Sequence, residues 1–174
     1  MSSSTSRRLA RIALATALII VCSQIIIPLP GVPFTLQTLA VGLVACLLVP
    51  LEAMTALLLY LFMGAVGLPV FAGASGGFSA FFAATGGFLI GFIPFVLVTS
   101  YFAQRFKDFW TQLASLIVGD GLAFFVGWLG LMVNGHLSPG AAFLAGVVPF
   151  IIIDLVKMFL VALMAQRLRP LINR

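Results

Sequence analysis

The sequence predicts an all-α integral membrane protein, a bundle of six transmembrane helices with both termini cytoplasmic, forming one domain over residues 1–174. Three observations carry that expectation. Hydrophobic residues make up 63% of the chain and charged residues 7%, whereas a soluble globular chain needs roughly 25% charged residues for the surface it presents to water. The apolar residues fall in stretches near the roughly 20 that a helix needs to cross a hydrocarbon core. Apart from Lys157, the basic residues form three clusters: Arg7, Arg8 and Arg11; Arg105 and Lys107; and Arg167, Arg169 and Arg174. Clusters so spaced read as orientation signals for insertion into a lipid bilayer. A net charge of +5 spread in this way argues against a phosphate-binding face, so no nucleic acid is expected as a partner.

The first span is expected over 9–27. The Ser-rich start with its arginines resembles a secretory signal, but the apolar stretch is long and no small-residue cleavage pattern follows it, so it reads as an uncleaved helix. Pro28, Pro30, Gly31 and Pro33 stop it, because proline removes a backbone donor and clashes with the preceding turn. The stretch from 36 to 66 is too long for one span and holds Pro50, Leu51 and Glu52 near its centre. It is expected as two short spans, 36–49 and 51–66, joined by a tight turn. Charge asymmetry supports the division. With six spans all three basic clusters fall on one side, whereas a single kinked helix there would send the middle and final clusters outside. Residues 67–79 are glycine-rich and poor in helix formers. Further spans are expected over 81–102, 113–133 and 143–163. The loops at 28–35, 67–80 and 134–141 then face outward together.

Asp154 and Lys157 are the ionisable residues expected deep in a span, with Asp120 nearer the cytoplasmic end of the fifth. An intramembrane charge costs about 2.5–3.5 kcal/mol on insertion scales, so each is a candidate functional group unless it only pairs helices. Asp154 precedes Arg167 by thirteen residues, roughly 20 Å at about 1.5 Å per residue, which sets it slightly outside the midplane, within reach of an outward pocket. The spacing i, i+3 places Asp154 and Lys157 on one helical face, where they neutralise each other in the absence of a ligand. Such a pair suits a polar ligand, the carboxylate accepting from N–H groups and the ammonium donating to a carbonyl or carboxylate. A purely structural salt bridge is the alternative. Pro149, five residues before Asp154, removes a backbone hydrogen bond and predicts either local distortion beside the pocket or a simple kink.

Gly73, Ala74, Ser75, Gly76 and Gly77 form either a loop that lets backbone amides approach a ligand or a plain flexible connection. Ala13 with Ala17, and Gly87 with Gly91, make small-xxx-small faces that permit close helix approach, within the chain or against a partner. Cys22 and Cys46 fall in apolar segments as small hydrophobes, and no disulfide, metal site or cofactor is expected. Neither Lys107 nor Lys157 follows a glycine, so no P-loop can be drawn and any ATP must be hydrolysed by another chain. An intramembrane aspartyl protease built on Asp120 and Asp154 is disfavoured. Ile117 replaces the first glycine of the glycine-x-glycine-aspartate pattern, and Lys157 holds its neighbour ionised against the need for a shared proton.

Four segments together resemble the BioY family, the biotin-binding S components of energy-coupling factor (ECF) transporters. They are Val32-Pro33-Phe34-Thr35-Leu36-Gln37-Thr38-Leu39, Gly67-Leu68-Pro69-Val70-Phe71-Ala72-Gly73, Thr85-Gly86-Gly87-Phe88-Leu89-Ile90-Gly91-Phe92, and Pro149-Phe150 followed by Asp154 and Lys157. The resemblance covers nearly the whole chain in the right order. It implies a multi-pass protein of a prokaryotic plasma membrane that captures biotin outside and releases it inside. Energy would come from a transmembrane coupling subunit and two ABC-type ATPases, and the chain itself would not be an enzyme. It further implies that Asp154 and Lys157 hold polar groups of biotin, Asp154 the ureido N–H groups first. Thr35, Gln37 and the loop containing Phe71, Ser75 and Gly76 would close the pocket, and Ala13 and Ala17 would meet the coupling subunit. The chain departs from the family pattern glycine-proline-threonine-glycine-glycine-tyrosine at Ala83-Ala84-Thr85-Gly86-Gly87-Phe88, so no tyrosine contact is carried over. Leu89 stands where some members have arginine, which leaves the biotin carboxylate to Lys157 or to an open, hydrated tail site. An S component for another vitamin is the alternative within transport.

Overall fold

The computed structural model describes residues 3–27 and 32–172. Among these, seven α-helices run in the order α1 (Ser3–Gln24), α2 (Gln37–Leu47), α3 (Pro50–Ala65), α4 (Gly86–Arg105), α5 (Phe109–Val133), α6 (Pro139–Gly146) and α7 (Ile151–Ile172). The turn expected at Pro28, Pro30 and Gly31 lies outside the described residues. The chain on either side departs from the all-α expectation, because β1 (Ile26–Ile27) pairs antiparallel with β2 (Phe34–Thr35), Ile26 opposite Thr35 and Ile27 opposite Phe34. This short ladder satisfies backbone groups between α1 and α2 and sets the direction in which Thr35, Gln37 and Thr38 enter the bundle.

The stretch from 36 to 66 divides into α2 and α3 at Val49-Pro50. Proline occupies the first turn of α3, where its missing N–H leaves no bond unmade and its fixed φ suits a helix start. Beyond α3 the chain turns through left-handed residues at Gly67, Gly73, Ala74 and Gly77, with φ of 101°, 73°, 53° and 102°. A 3₁₀ turn over Phe78–Phe82 follows, so α4 begins at Gly86 rather than near 81. Asp108 caps α5, accepting from the Thr111 amide at 2.8 Å. That bond holds its carboxyl below the usual carboxylate range.

The last expected span, 143–163, is not one helix. α6 and α7 are separated at 147–150 and bent by 47°. Pro149 supplies no amide, Val147 leaves the helix with φ −122° and ψ −56°, and α7 restarts with the Asp154 amide donating to the Phe150 carbonyl at 2.8 Å. The break has a chemical consequence. It places Asp154 in the first turn of α7, where the helix dipole favours a negative charge.

Hydrogen bonds separate the bundle into two chemically different ends. At one, Arg11 donates to Glu52 at 2.9 Å, Gln104 to the Leu48 carbonyl at 2.9 Å, Gln166 to the Lys107 carbonyl at 2.8 Å, and Arg169 to the carbonyls of Cys46 at 2.7 Å and Ala103 at 2.9 Å. At the other, loops are stitched by Gln24, which donates to the Val70 and Phe71 carbonyls and accepts from the Ala74 amide, and by Asn134, which donates to the Phe81 and Ala83 carbonyls. Between the ends the core packs around Tyr60, Phe95, Leu116 and Met158, all buried.

Among the described residues two helices, α4 and α5, are long and apolar enough to cross a membrane, and the bent α6–α7 pair adds a third; α2 and α3 are apolar but shorter. The outer surface is apolar, with Leu14 and Ile152 71% and 75% exposed, a surface that lipid tails solvate and water does not. Gly87 and Gly91 face inward against α5. A Cβ on Gly87 would lie 2.7 Å from the Val126 carbonyl oxygen and 2.8 Å from Gly130 Cα, and one on Gly91 would lie 2.8 Å from the Ala123 carbonyl oxygen. Gly91→Val is expected to force these backbones apart and destabilise the bundle by about 1–3 kcal/mol, measured as a lowered midpoint of unfolding in detergent.

Candidate ligand-binding site

A cavity of about 490 Å³ lies toward the loop-stitched end. Its size suits a small organic molecule. Thr35, Gln37, Phe71, Ser75, Gly76, Asp154 and Lys157 all line it. The structure therefore brings together seven residues drawn from three separate segments of the chain. Ala13 and Ala17 are elsewhere, exposed on the outer face of α1.

The polar wall is built around Lys157. Its ammonium contacts Asp154 Oδ1 at 2.5 Å and donates to the Thr35 carbonyl at 2.8 Å and to Thr38 Oγ1 at 2.9 Å. These three acceptors match its three N–H donors. Thr38 in turn donates to Asp154 Oδ1 at 2.9 Å, so one hydroxyl ties the acid and the base together. The Lys157 ammonium also sits 4.0 Å from the centroid of the Phe34 ring, where the ring's quadrupole attracts a cation. Both members of the pair are almost fully buried. Removing two charges from water costs several kcal/mol per ion, and only close geometry with further hydrogen bonds repays it. Thr35 and Thr38 from the β2–α2 junction supply those bonds.

Gln37 donates to the Tyr60 hydroxyl at 2.5 Å, and that ring stands edge-on to Phe71 at 5.4 Å between centroids. Phe71 is further held because its ring fills the space over Gly64 that a side chain would occupy. The glycine-rich loop is shaped by the same economy of space. A Cβ on Gly76 would collide with the Leu68 carbonyl, and Gly73 and Gly77 take left-handed backbone that other residues rarely adopt. Phe88, Leu89, Phe92, Phe124 and Phe150 complete an apolar wall. Such a cavity can enclose an amphipathic molecule, its polar head against Asp154 and Lys157 and its apolar body against the rings.

An aromatic and aliphatic lining is what a small amphipathic ligand leads one to expect, but sequence reasoning did not name its individual rings beyond Phe71, nor Thr38 in the polar wall, nor Tyr60 as the partner that holds Gln37. A threonine next to Gln37 at the start of an apolar helix was the available signal for Thr38. Asp120, expected nearer one end of the fifth span, lies near the middle of α5. α5 begins at Phe109, earlier than the expected 113, which brings Asp120 near mid-helix and into the cavity with Asp154 and Lys157. Asp154 is bonded to Lys157 and Thr38, an arrangement unlike two aspartates sharing a proton.

Comparisons with known proteins agree with this architecture. A protein described as "Biotin transporter BioY" of Thermotoga maritima is 39% identical over 165 residues, covering 95% of this chain and 97% of its own length. "Biotin transporter BioY2" of Lactococcus lactis subsp. cremoris is 40% identical over 154 residues, covering 87% of this chain and 84% of that protein. A solved structure described as the S component for biotin from an ECF-type ABC transporter superposes with a TM-score of 0.90 at 24% identity, over 98% of this chain and 95% of that one. The sequence profile described as the BioY family matches residues 1–174. With a full-length profile match, full-length relatives and the same helical arrangement, this chain belongs to the BioY family.

Proposed function

We propose that the chain is the biotin-binding S component of an ECF transporter, capturing biotin from outside a prokaryotic plasma membrane and releasing it to the cytoplasm. The observation that carries the reading is the buried Asp154–Lys157 pair opening into a cavity of about 490 Å³. Asp154 lies in the first turn of a helix restarted after a break and Lys157 in the next, a device by which membrane transporters build polar sites at depth. Asp154 accepts from a ureido N–H, and Lys157 exchanges one of its three present acceptors for the ureido carbonyl. The bicyclic body lies against the aromatic wall.

Lys157 is the one cation among the described lining residues, and Asp154 engages it. Leu89 supplies no charge to the tail. The biotin carboxylate therefore remains hydrated at the open mouth of the cavity. Six crossings, with α6 and α7 together making the last, put the arginine-rich end in the cytoplasm and the cavity mouth outside. Ala13 and Ala17, exposed on α1 beside Leu14, form the face for the transmembrane coupling subunit, and two ABC-type ATPases supply the energy.

Thr38→Val keeps the side-chain shape and removes the hydroxyl that links acid and base. It is expected to weaken biotin binding about tenfold, the worth of roughly 1.4 kcal/mol, as read by calorimetric titration of the purified protein. The proposal as a whole is tested by uptake of labelled biotin into cells lacking their own biotin transport. Uptake is expected with the coupling subunit and ATPases present, and its absence despite membrane expression of all components would count against the assignment.

A further inference from the structure

Asp120 is a second buried acid in the cavity, and the Asp154–Lys157 pair leaves it unserved. It is 5% exposed, it lines the cavity, and its Oδ1 has no hydrogen-bond partner. It lies near enough to Asp154 and Lys157 for their charges to interact with its own. Lys157 cannot satisfy it, because its three N–H groups already face Asp154, the Thr35 carbonyl and Thr38. On its other side Asp120 borders a lateral cavity of about 480 Å³ whose one side-chain donor among the lining residues is the Trp128 indole, and that N–H is already given to the Pro139 carbonyl at 3.0 Å. A buried acceptor left without a donor is costly, and proteins retain one where something else supplies the donor.

The arrangement of charges indicates the kind of donor. Two carboxylates, from α5 and α7, and one ammonium face the same space. A cyclic urea presents two N–H donors flanking one carbonyl acceptor, which is the complementary pattern. A thiazolium or an amine would meet the acids but leave Lys157 without a new acceptor. We infer that Asp120 is a specificity-determining residue, accepting the ureido N–H that Asp154 does not reach, so that the pocket reads a urea-type head from both edges.

This inference rests on the biotin reading, and its test separates the two. Equilibrium binding to the purified full chain is measured for biotin and for two analogues, each methylated on one ureido nitrogen. The wild type is expected to bind each analogue about 10- to 100-fold more weakly than biotin. Asp120→Leu is expected to weaken biotin binding by a similar factor and to become indifferent to methylation at one nitrogen while still rejecting methylation at the other. Asp120→Asn, which keeps a carbonyl acceptor, is expected to stay within about tenfold of the wild type and to reject both analogues. An Asp120→Leu variant that binds biotin like the wild type, or that rejects both analogues equally, would overturn the role of Asp120 alone. If that variant does not fold, loss of biotin binding by a thermally stable Asp120→Asn variant would overturn it. Failure of the wild type to bind biotin would overturn the transport reading and this inference with it.

Discussion

Lys157→Met is expected to weaken biotin binding by about a hundredfold to several thousandfold, the equivalent of roughly 3–5 kcal/mol for breaking a buried ion pair from one side. The size follows from the burial of both groups. Lys157 is in contact with Asp154 at 2.5 Å, and its side chain is 6% exposed, so water cannot replace it. Methionine fills much the same volume while removing all three donors. The Thr35 carbonyl and the Thr38 hydroxyl lose a donor, and Asp154 loses its counter-charge. A single substitution therefore damages both the site and the fold. The second variant separates these effects: Asp154→Leu with Lys157→Met removes both charges, and an apolar pair of similar volume is often as stable as the ions it replaces. The double variant is expected to recover the unfolding midpoint lost in Lys157→Met and to remain unable to bind biotin. Recovery of binding along with stability would show that the pair only holds helices together.

Ala17→Leu, alone or with Ala13→Leu, is expected to leave biotin binding at wild-type affinity and to reduce energised uptake to background. Both alanines are exposed on the outer face of α1, away from the cavity. A small-xxx-small face lets two helix backbones come close, and a leucine side chain on it holds them apart. Binding is measured on purified protein and uptake in cells expressing the complete transporter. Undiminished uptake by the double variant would show that the coupling subunit docks elsewhere.

How far the sequence reveals this protein is best seen where similar signals have different outcomes. Pro50 and Pro149 both interrupt apolar runs and both mark real discontinuities, yet Pro94 lies inside the continuous helix α4. Each proline lacks the backbone N–H donor of other residues. Whether the helix then stops depends on what packs around the freed carbonyl, which a single sequence does not display. The pairs Ala13/Ala17 and Gly87/Gly91 are likewise alike in pattern. The glycines meet the backbone of α5 within 3 Å of a would-be Cβ, whereas the alanines are exposed. Spacing states that close approach is permitted and leaves open which surface uses it.

The site was legible in its charged members because charge is rare and expensive in such a chain. Asp154 and Lys157 announced themselves by cost alone, and their spacing fixed their shared face. Thr38 was hidden because threonine is common in apolar helices, where its hydroxyl bonds a carbonyl in the preceding turn, as Thr16 does with Ile12 at 2.9 Å. Only the fold shows that Thr38 turns instead to an acid 116 residues away. Tyr60 was silent for a similar reason, its hydroxyl finding Gln37 across the bundle.

The most direct measurement is equilibrium binding of biotin, thiamine and riboflavin to the purified chain without its partners. A cavity whose polar wall offers acids and an ammonium to a neutral ureido head predicts saturable binding of biotin at one site and no measurable binding of the other two vitamins. Saturable binding of thiamine or riboflavin with none of biotin would contradict it.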